Sequence, residues 1–127
     1  MDRIYMKDNQ GILRHVHGLD LVRIMLGQRD QMEALAEEAA ELSQAALKWI
    51  RASGMSENPT PITFNEAAMH LLEEWQDVMA CAYVLGMPLA TNEELVHSEK
   101  SERWAQRVME SYEKRMEEAG RKEHAKI

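Results

Sequence analysis

The sequence predicts an all-α protein, and three observations support that fold class. Ala, Glu, Leu and Met, which favour helices, are plentiful among the 127 residues, whereas six residues are Gly and only 6% are aromatic. Apolar residues recur at helical spacing in segments separated by Gly and Pro. A composition that is 45% hydrophobic and 29% charged is ordinary for a globular domain. We expect one domain over residues 1–127, with its core at 19–119 and a frayed tail at 120–127.

The first half of the chain predicts a turn and two helices. A turn is expected at residues 8–11, where Asp, Asn, Gln and Gly follow one another. A short helix covers residues 19–26 and ends at a glycine, a common C-cap residue. The second helix is expected to open with a capping box of Asp30 and Glu33 and to run to Ala52.

The second half predicts two further helices. Thr63 and Glu66 form another capping box, and the helix that they open runs to Leu85, where Gly and Pro follow. A fourth helix covers residues 93–119 and is capped by Thr91 or Asn92. The expected architecture is a four-helix bundle-like core in which the second and third helices form an antiparallel hairpin, followed by a C-terminal helix.

Charge and composition exclude several classes of function. The formal net charge of −7 is a poor match to the phosphate backbone of a nucleic-acid duplex. Cys81 is the single cysteine, so no internal disulfide forms and a packing role is expected for its thiol. No apolar run approaches the ~20 residues of a membrane span, and the N-terminus lacks an apolar signal segment. These observations predict a cytoplasmic protein without a membrane partner.

Two acidic clusters are the most informative feature of the chain. Glu38 and Glu41 lie in the second predicted helix, and Glu74 and Asp77 lie in the third. Because successive helical residues rotate by about 100°, Leu42 falls only about 40° from Glu38, so this carboxylate borders an apolar stripe. Glu74 borders the corresponding stripe of the third helix. Unpaired negative charge at such positions is costly, which indicates that a cation binds there.

The two clusters also match in height along the hairpin. Glu41 lies about 16 Å from the end of its helix, and Glu74 lies about 14 Å from the start of the next one. Four carboxylates are therefore expected to converge between the two helices. Oxygen ligands without Cys or His select Mg²⁺ or Mn²⁺ over Zn²⁺, and Mg²⁺ usually completes its shell with water and substrate phosphates. The sequence thus predicts a nucleotide site.

These motifs resemble those of the all-α nucleoside triphosphate pyrophosphohydrolase superfamily, the MazG-like and dimeric dUTPase-like enzymes. Its EExxE motif is matched at residues 37–41 and its ExxD motif at residues 74–77, and the resemblance extends over about residues 28–86. The connection of 32 residues between the motifs is long for this family. By this resemblance Glu38, Glu41, Glu74 and Asp77 hold Mg²⁺, and Glu37 helps to bind the metal or to position water.

The resemblance implies a reaction, its catalytic groups and an assembly. A nucleoside triphosphate, in some members a non-canonical one, is converted to the monophosphate and pyrophosphate. Glu38 or Glu41 is expected to act as general base, and Lys48 and Arg51, which follow on the same helix, are expected to reach the phosphates. Family members assemble as homodimers or homotetramers whose four-helix core is built partly across subunits, so a homo-oligomer is expected.

Two alternatives stand beside this reading. A non-enzymatic helical interaction module would show neither metal-dependent stabilisation nor pyrophosphate release. A di-iron carboxylate bundle needs two Glu-x-x-His motifs, and only the segment from Glu94 to His97 matches. Within the enzyme class, phosphoribosyl-ATP pyrophosphohydrolases and dUTPases are close relatives, and the sequence gives no base-recognition signature that separates them.

Overall fold

The computed structural model describes residues 4–16 and 18–125. These residues are 71% helical and form five helices and one two-stranded sheet, which confirms the expected mostly helical class. The chain divides into two compact units between Pro88 and Leu89. The last two residues of the expected tail, 126 and 127, lie outside the described part of the chain.

An antiparallel β-hairpin, which the sequence did not predict as strands, opens the first unit. Strand β1 (Ile4–Lys7) pairs with β2 (Leu13–Val16) around the predicted turn. The Asp8 carboxylate accepts hydrogen bonds from the backbone N–H groups of Gln10 and Ile12 and lies 2.7 Å from Arg14 Nε. The Arg14 side chain and these N–H groups lower the pKa of Asp8. The charged Asp8 carboxylate therefore stabilises the turn.

The first two helices meet at a buried glutamine. Helix α1 (Gly18–Met25) agrees with its predicted range within one residue, and α2 is Gln28–Ala52. The Gln31 side-chain amide donates to the carbonyl of Leu26 at 2.7 Å and to that of Arg23 at 3.1 Å, which satisfies carbonyl groups at the end of α1.

The predicted capping box of Asp30 and Glu33 is wrong. The N-cap of α2 is Gly27, which is extended and makes no side-chain cap hydrogen bond. Asp30 lies in the first helical turn, where its charge favours the positive end of the helix dipole. Glu33 instead lies 3.3 Å from Arg29 Nε in an (i, i+4) pair.

Helix α3 (Phe64–Val84) begins at the predicted capping box, which the structure confirms. Thr63 Oγ1 accepts from the Glu66 N–H at 3.2 Å, and the Glu66 carboxylate accepts from the Thr63 N–H at 3.2 Å. The helix runs antiparallel to α2, because the Trp49 ring near the end of α2 contacts the Phe64 ring, with centroids 5.4 Å apart, at the start of α3.

Removing this cap is expected to destabilise the hairpin. Thr63→Ala leaves the Glu66 N–H without its partner, so the free energy of unfolding should fall by about 1 kcal/mol. Urea denaturation followed by circular dichroism measures the loss. Thr63→Ser keeps the hydroxyl and serves as the control. Equal destabilisation by both variants would contradict this assignment of the cap.

Helix α1 is fastened to the end of α3 by a small polar network. The Arg23 guanidinium donates to the Tyr83 carbonyl and, at 3.1 Å, to the Val84 carbonyl, and it lies 4.6 Å from the centroid of the Tyr83 ring. The Tyr83 hydroxyl donates to Asp20 at 2.9 Å. These contacts hold α1 over the part of the α2–α3 hairpin that lies beyond the acidic residues.

Few apolar side chains are buried. Among the described residues, the buried apolar positions are Ala45, Ala67, Ala82 and Val84, three of them alanines. A hairpin with so few fully buried side chains gains less from the burial of apolar surface within one chain than a closed core would. Among the helices of the described residues, none has the length and apolar character needed to cross a membrane.

The second unit consists of two helices where one was predicted. Helix α4 (Asn92–Val96) is capped by Thr91, as expected, but it ends at His97, and α5 (Glu99–Ala125) follows. The Ser98 hydroxyl accepts from the Ser101 N–H at 3.1 Å and so starts a new helix at this point. Residues 120–125, expected to fray, are helical.

Candidate metal and phosphate site

Three of the four predicted ligands come together between α2 and α3. Glu38 and Glu41 from α2 and Glu74 from α3 each offer a carboxylate oxygen, and these atoms lie within 4.8 Å of one another. Glu38 and Glu41 share a helix face because they are three residues apart, and the antiparallel hairpin brings Glu74 to the same height. A single divalent cation fits an oxygen-lined group of this size.

Asp77 and Glu37 are placed differently. Asp77 is exposed and lies outside the three-carboxylate group, although its charge raises the pKa values of both Glu38 and Glu74 and it is therefore close to them. Glu37 is exposed and also lies outside the group. One turn separates Glu74 from Asp77, so the backbone leaves Asp77 on the same side of the hairpin.

Two carboxylate oxygens of the group are buried without a partner. Glu38 and Glu74 are half-buried, and the Oε2 atom of each has no hydrogen-bond donor among the residues that the structure describes. A charged oxygen that has lost its water and gained no donor is unfavourable. The two atoms therefore have capacity for a positively charged or hydrogen-bonding ligand.

The electrostatics of the site agree with this geometry. Burial is the largest cause that raises the pKa of Glu38, followed by the charges of Glu41 and Asp77. Burial is also the largest cause for Glu74, followed by the charge of Glu41. Without a cation, the crowded carboxylates resist full ionisation, and a cation would remove that penalty.

A groove of about 400 Å³ opens from the carboxylates along the hairpin. Its lining residues come from both helices: Glu41, Gln44, Ala45, Lys48, His70, Glu73 and Glu74. Lys48 thus lies beside the acidic group, as the sequence predicted for a phosphate contact, whereas Arg51 is not part of this lining.

Gln44 and His70 were not selected from the sequence. His70 precedes Glu74 by four residues, and this spacing was the signal that placed it on the same helix face.

On the other side of the carboxylates, an apolar cavity of about 100 Å³ lies beneath α1. Its lining residues are Leu19, Val22, Leu26, Gln31, Ala34, Ala80, Cys81 and Val84. Burial, together with the charges of Glu38 and Asp77, raises the pKa of Cys81. The thiol is therefore protonated at neutral pH and unreactive, which fits the packing role expected for it.

Comparison with models of protein families, with curated proteins and with solved structures finds no match to this chain. The relevant observations are the three converging carboxylates, the two orphan oxygens among them and the groove that contains Lys48.

Proposed function

We propose that this protein is a magnesium-dependent nucleoside triphosphate pyrophosphohydrolase. The observation that supports the proposal most strongly is the convergence of Glu38, Glu41 and Glu74 within 4.8 Å, with two buried oxygens that lack a donor. The EExxE and ExxD motifs agree with that reaction class through their resemblance to the all-α pyrophosphohydrolases. The substrate would be a canonical or non-canonical nucleoside triphosphate.

The residues present suit Mg²⁺ or Mn²⁺. Glu38, Glu41 and Glu74 would hold the ion, and Asp77 would approach it as a further ligand or through water. When bound, such an ion offsets phosphate charge and lowers the pKa of a coordinated water. The donor set contains oxygen alone, which disfavours zinc and iron.

Side chains of the groove would bind the phosphates and accept the proton of the attacking water. Lys48 donates to the phosphate chain from the groove. Glu41 is exposed and lines the groove, whereas Glu38 is half-buried, so Glu41 is the better placed general base. The oxygen of water attacks the α-phosphorus, the bond to the bridging oxygen breaks with its electron pair on pyrophosphate, and Glu41 accepts the proton.

The reverse side of the hairpin supports assembly into a homo-oligomer. On α2, the angle around the helix axis from Glu38 is about 120° for Met32 and Ile50 and about 180° for Leu47. On α3, the angle from Glu74 is about 100° for Trp75 and about 160° for Leu72. All five side chains are exposed, Leu72 to 57% and Leu47 to 51%. The carboxylates of Glu41 and Asp77 point the opposite way, at about −60° on their helices.

When two helices are antiparallel, side chains at equal angles around their helix axes, each measured from the direction that faces the other helix, point to the same side of the pair. The exposed apolar residues of α2 and α3 therefore form one continuous surface, here called the back face. Between Met32 and Ile50 it is about 27 Å long, and it carries none of the acidic residues of the site. Two copies packed through their back faces would complete a four-helix bundle, in a homodimer or a homotetramer.

A magnesium titration of the wild type and of Glu38→Gln tests the proposed site. Without metal, Glu38→Gln removes a crowded charge and supplies an amide donor, so its melting temperature should exceed that of the wild type. With Mg²⁺, the wild type should gain stability and the variant should gain much less. Differential scanning fluorimetry at neutral pH measures both effects, and Glu33→Gln on the same helix is the control.

Two results of this titration would overturn the proposed site. One is a wild type that Mg²⁺ and Mn²⁺ do not stabilise, and the other is equal stabilisation of the wild type and Glu38→Gln. A panel of canonical and modified nucleoside triphosphates, phosphoribosyl-ATP and dUTP, assayed for pyrophosphate, then identifies the substrate class.

A non-enzymatic helical interaction module is the second candidate. Helix α5 has no buried residue, and its large apolar side chains are exposed, Trp104 to 65%. Exposed amphipathic helices often bind protein partners. Such a module would show no pyrophosphate release with any nucleotide and no stabilisation by Mg²⁺, so the same experiments separate the two candidates.

A further inference from the structure

The groove beyond the carboxylates has one basic residue on each wall. Lys48 lies on α2, seven residues or about 10 Å beyond Glu41, and His70 lies on α3, four residues or about 6 Å before Glu74. Because the helices are antiparallel, both displacements lead towards the loop that joins α2 to α3. The two side chains therefore belong to the same end of the groove.

The remainder of the groove is acidic. Glu41, Glu73 and Glu74 line it, so a phosphate chain would enter a surface that repels it unless donors compensate. Gln44 and Lys48 supply donors on the α2 wall. His70 is the one residue of the lining on the α3 wall that donates hydrogen bonds; the others from that helix are acids.

The His70 imidazole is available for a ligand. It is exposed, and the described residues provide it with no hydrogen bond or ion pair. Its position on α3, about −40° from Glu74, lies on the same side of the hairpin as the carboxylates and away from the back face. A role in the packing of the hairpin does not explain this placement.

The two ends of the site differ in the ligand that they suit. Beyond the carboxylates towards α1 lies the apolar cavity, which contains no charged side chain. Towards the loop lies the groove with Lys48 and His70. Anionic phosphates are stabilised by charged and N–H donors and not by an apolar lining, so a bound phosphate chain would extend towards the loop.

We propose that His70 is a substrate-binding residue that holds the β- and γ-phosphates from the α3 wall, opposite Lys48, and keeps the same contact with the pyrophosphate product. This inference rests on the proposed pyrophosphohydrolase function. Cleavage at the α-phosphorus leaves the new charge on pyrophosphate, so a donor in the groove contacts the leaving group. The contact forms in the substrate complex as well as in the transition state, so it acts mainly on binding.

Direct binding of inorganic pyrophosphate tests the proposal without the need for turnover. Isothermal titration calorimetry with pyrophosphate and excess Mg²⁺ compares the wild type with His70→Ala, His70→Gln and Gln76→Ala. Loss of one hydrogen bond to a charged group should weaken pyrophosphate binding and raise KM for the nucleotide by about tenfold, with kcat changed less than threefold. His70→Gln keeps an N–H donor and should recover most of the affinity.

Gln76→Ala removes an exposed polar side chain on the same helix, about 120° further from the groove than His70, and should bind like the wild type. Thermal unfolding should be the same for all four proteins, which excludes a structural explanation. If His70→Ala binds pyrophosphate and nucleotide as tightly as the wild type, the inference is wrong while the pyrophosphohydrolase function stands. If the wild type neither binds pyrophosphate with Mg²⁺ nor releases it from any nucleotide, the proposed function is wrong as well.

Discussion

Glu41→Gln is expected to lower the rate of pyrophosphate release about a thousandfold at saturating nucleotide and Mg²⁺. The substitution removes a proposed metal ligand and the proposed general base, and loss of general base catalysis alone accounts for about 10²- to 10⁴-fold. Gln has nearly the same shape, and Glu41 is exposed, so the fold should be unaffected. Steady-state release of pyrophosphate measures the effect.

The matched control is Glu33→Gln, which neutralises another exposed carboxylate of α2 that lies far from the groove and pairs with Arg29. Its rate should remain within about twofold of the wild type, since exposed ion pairs contribute little. If Glu41→Gln released pyrophosphate at the wild-type rate, the proposed catalytic role of this site would be wrong.

Substitution of Asp77, the fourth predicted ligand, tests how this residue acts on the metal. Since it lies outside the group within 4.8 Å, its oxygen would reach the ion at a greater distance or through water. Asp77→Asn should therefore raise the Mg²⁺ concentration required for half-maximal activity by 10- to 100-fold, the effect of losing an outer-shell partner. A variant that is inactive even in excess Mg²⁺ would make Asp77 a direct ligand.

The sequence predicted those features that depend on a few neighbouring residues. The capping box of Thr63 and Glu66 needs only residues three apart, and the spacing of Glu38 and Glu41 places both on one helix face. The prediction that Glu74 lies near the carboxylates of α2 required one further assumption, an antiparallel hairpin, and the apolar stripes of both helices supported it.

Other features depend on competition that the pattern does not show. The break at Ser98 occurs within a helical pattern, because the Ser98 hydroxyl accepts a hydrogen bond from the Ser101 N–H and so caps a new helix. Strands β1 and β2 show no alternation of apolar and polar residues, because Ile4–Lys7 begins with three apolar residues and Leu13–Val16 has two polar residues side by side. The exclusion of Asp77 from the carboxylate group follows from side-chain placement across α2 and α3, which single-helix geometry leaves undetermined.

Leu72→Glu is expected to dissociate the proposed oligomer. The substitution places a charge in the middle of the back face, where burial against a second copy would leave it without a partner. The dissociation constant should rise by more than about 30-fold, the effect of losing a central interface residue worth 2 kcal/mol or more. Sedimentation velocity over a range of micromolar concentrations measures the change, and Asn58→Glu, which adds the same charge at an exposed position in the loop between α2 and α3, is the control.

The same substitution should also lower the helix content, because the proposed assembly would couple association to folding. One copy fully buries only Ala45, Ala67, Ala82 and Val84 among the apolar side chains of the described residues, so a partner packed on the back face would add substantial hydrophobic stabilisation. Circular dichroism of Leu72→Glu should therefore show earlier thermal melting, and activity should fall although every site residue is intact. A wild type that sediments as a stable monomer at micromolar concentration would contradict this account of the back face.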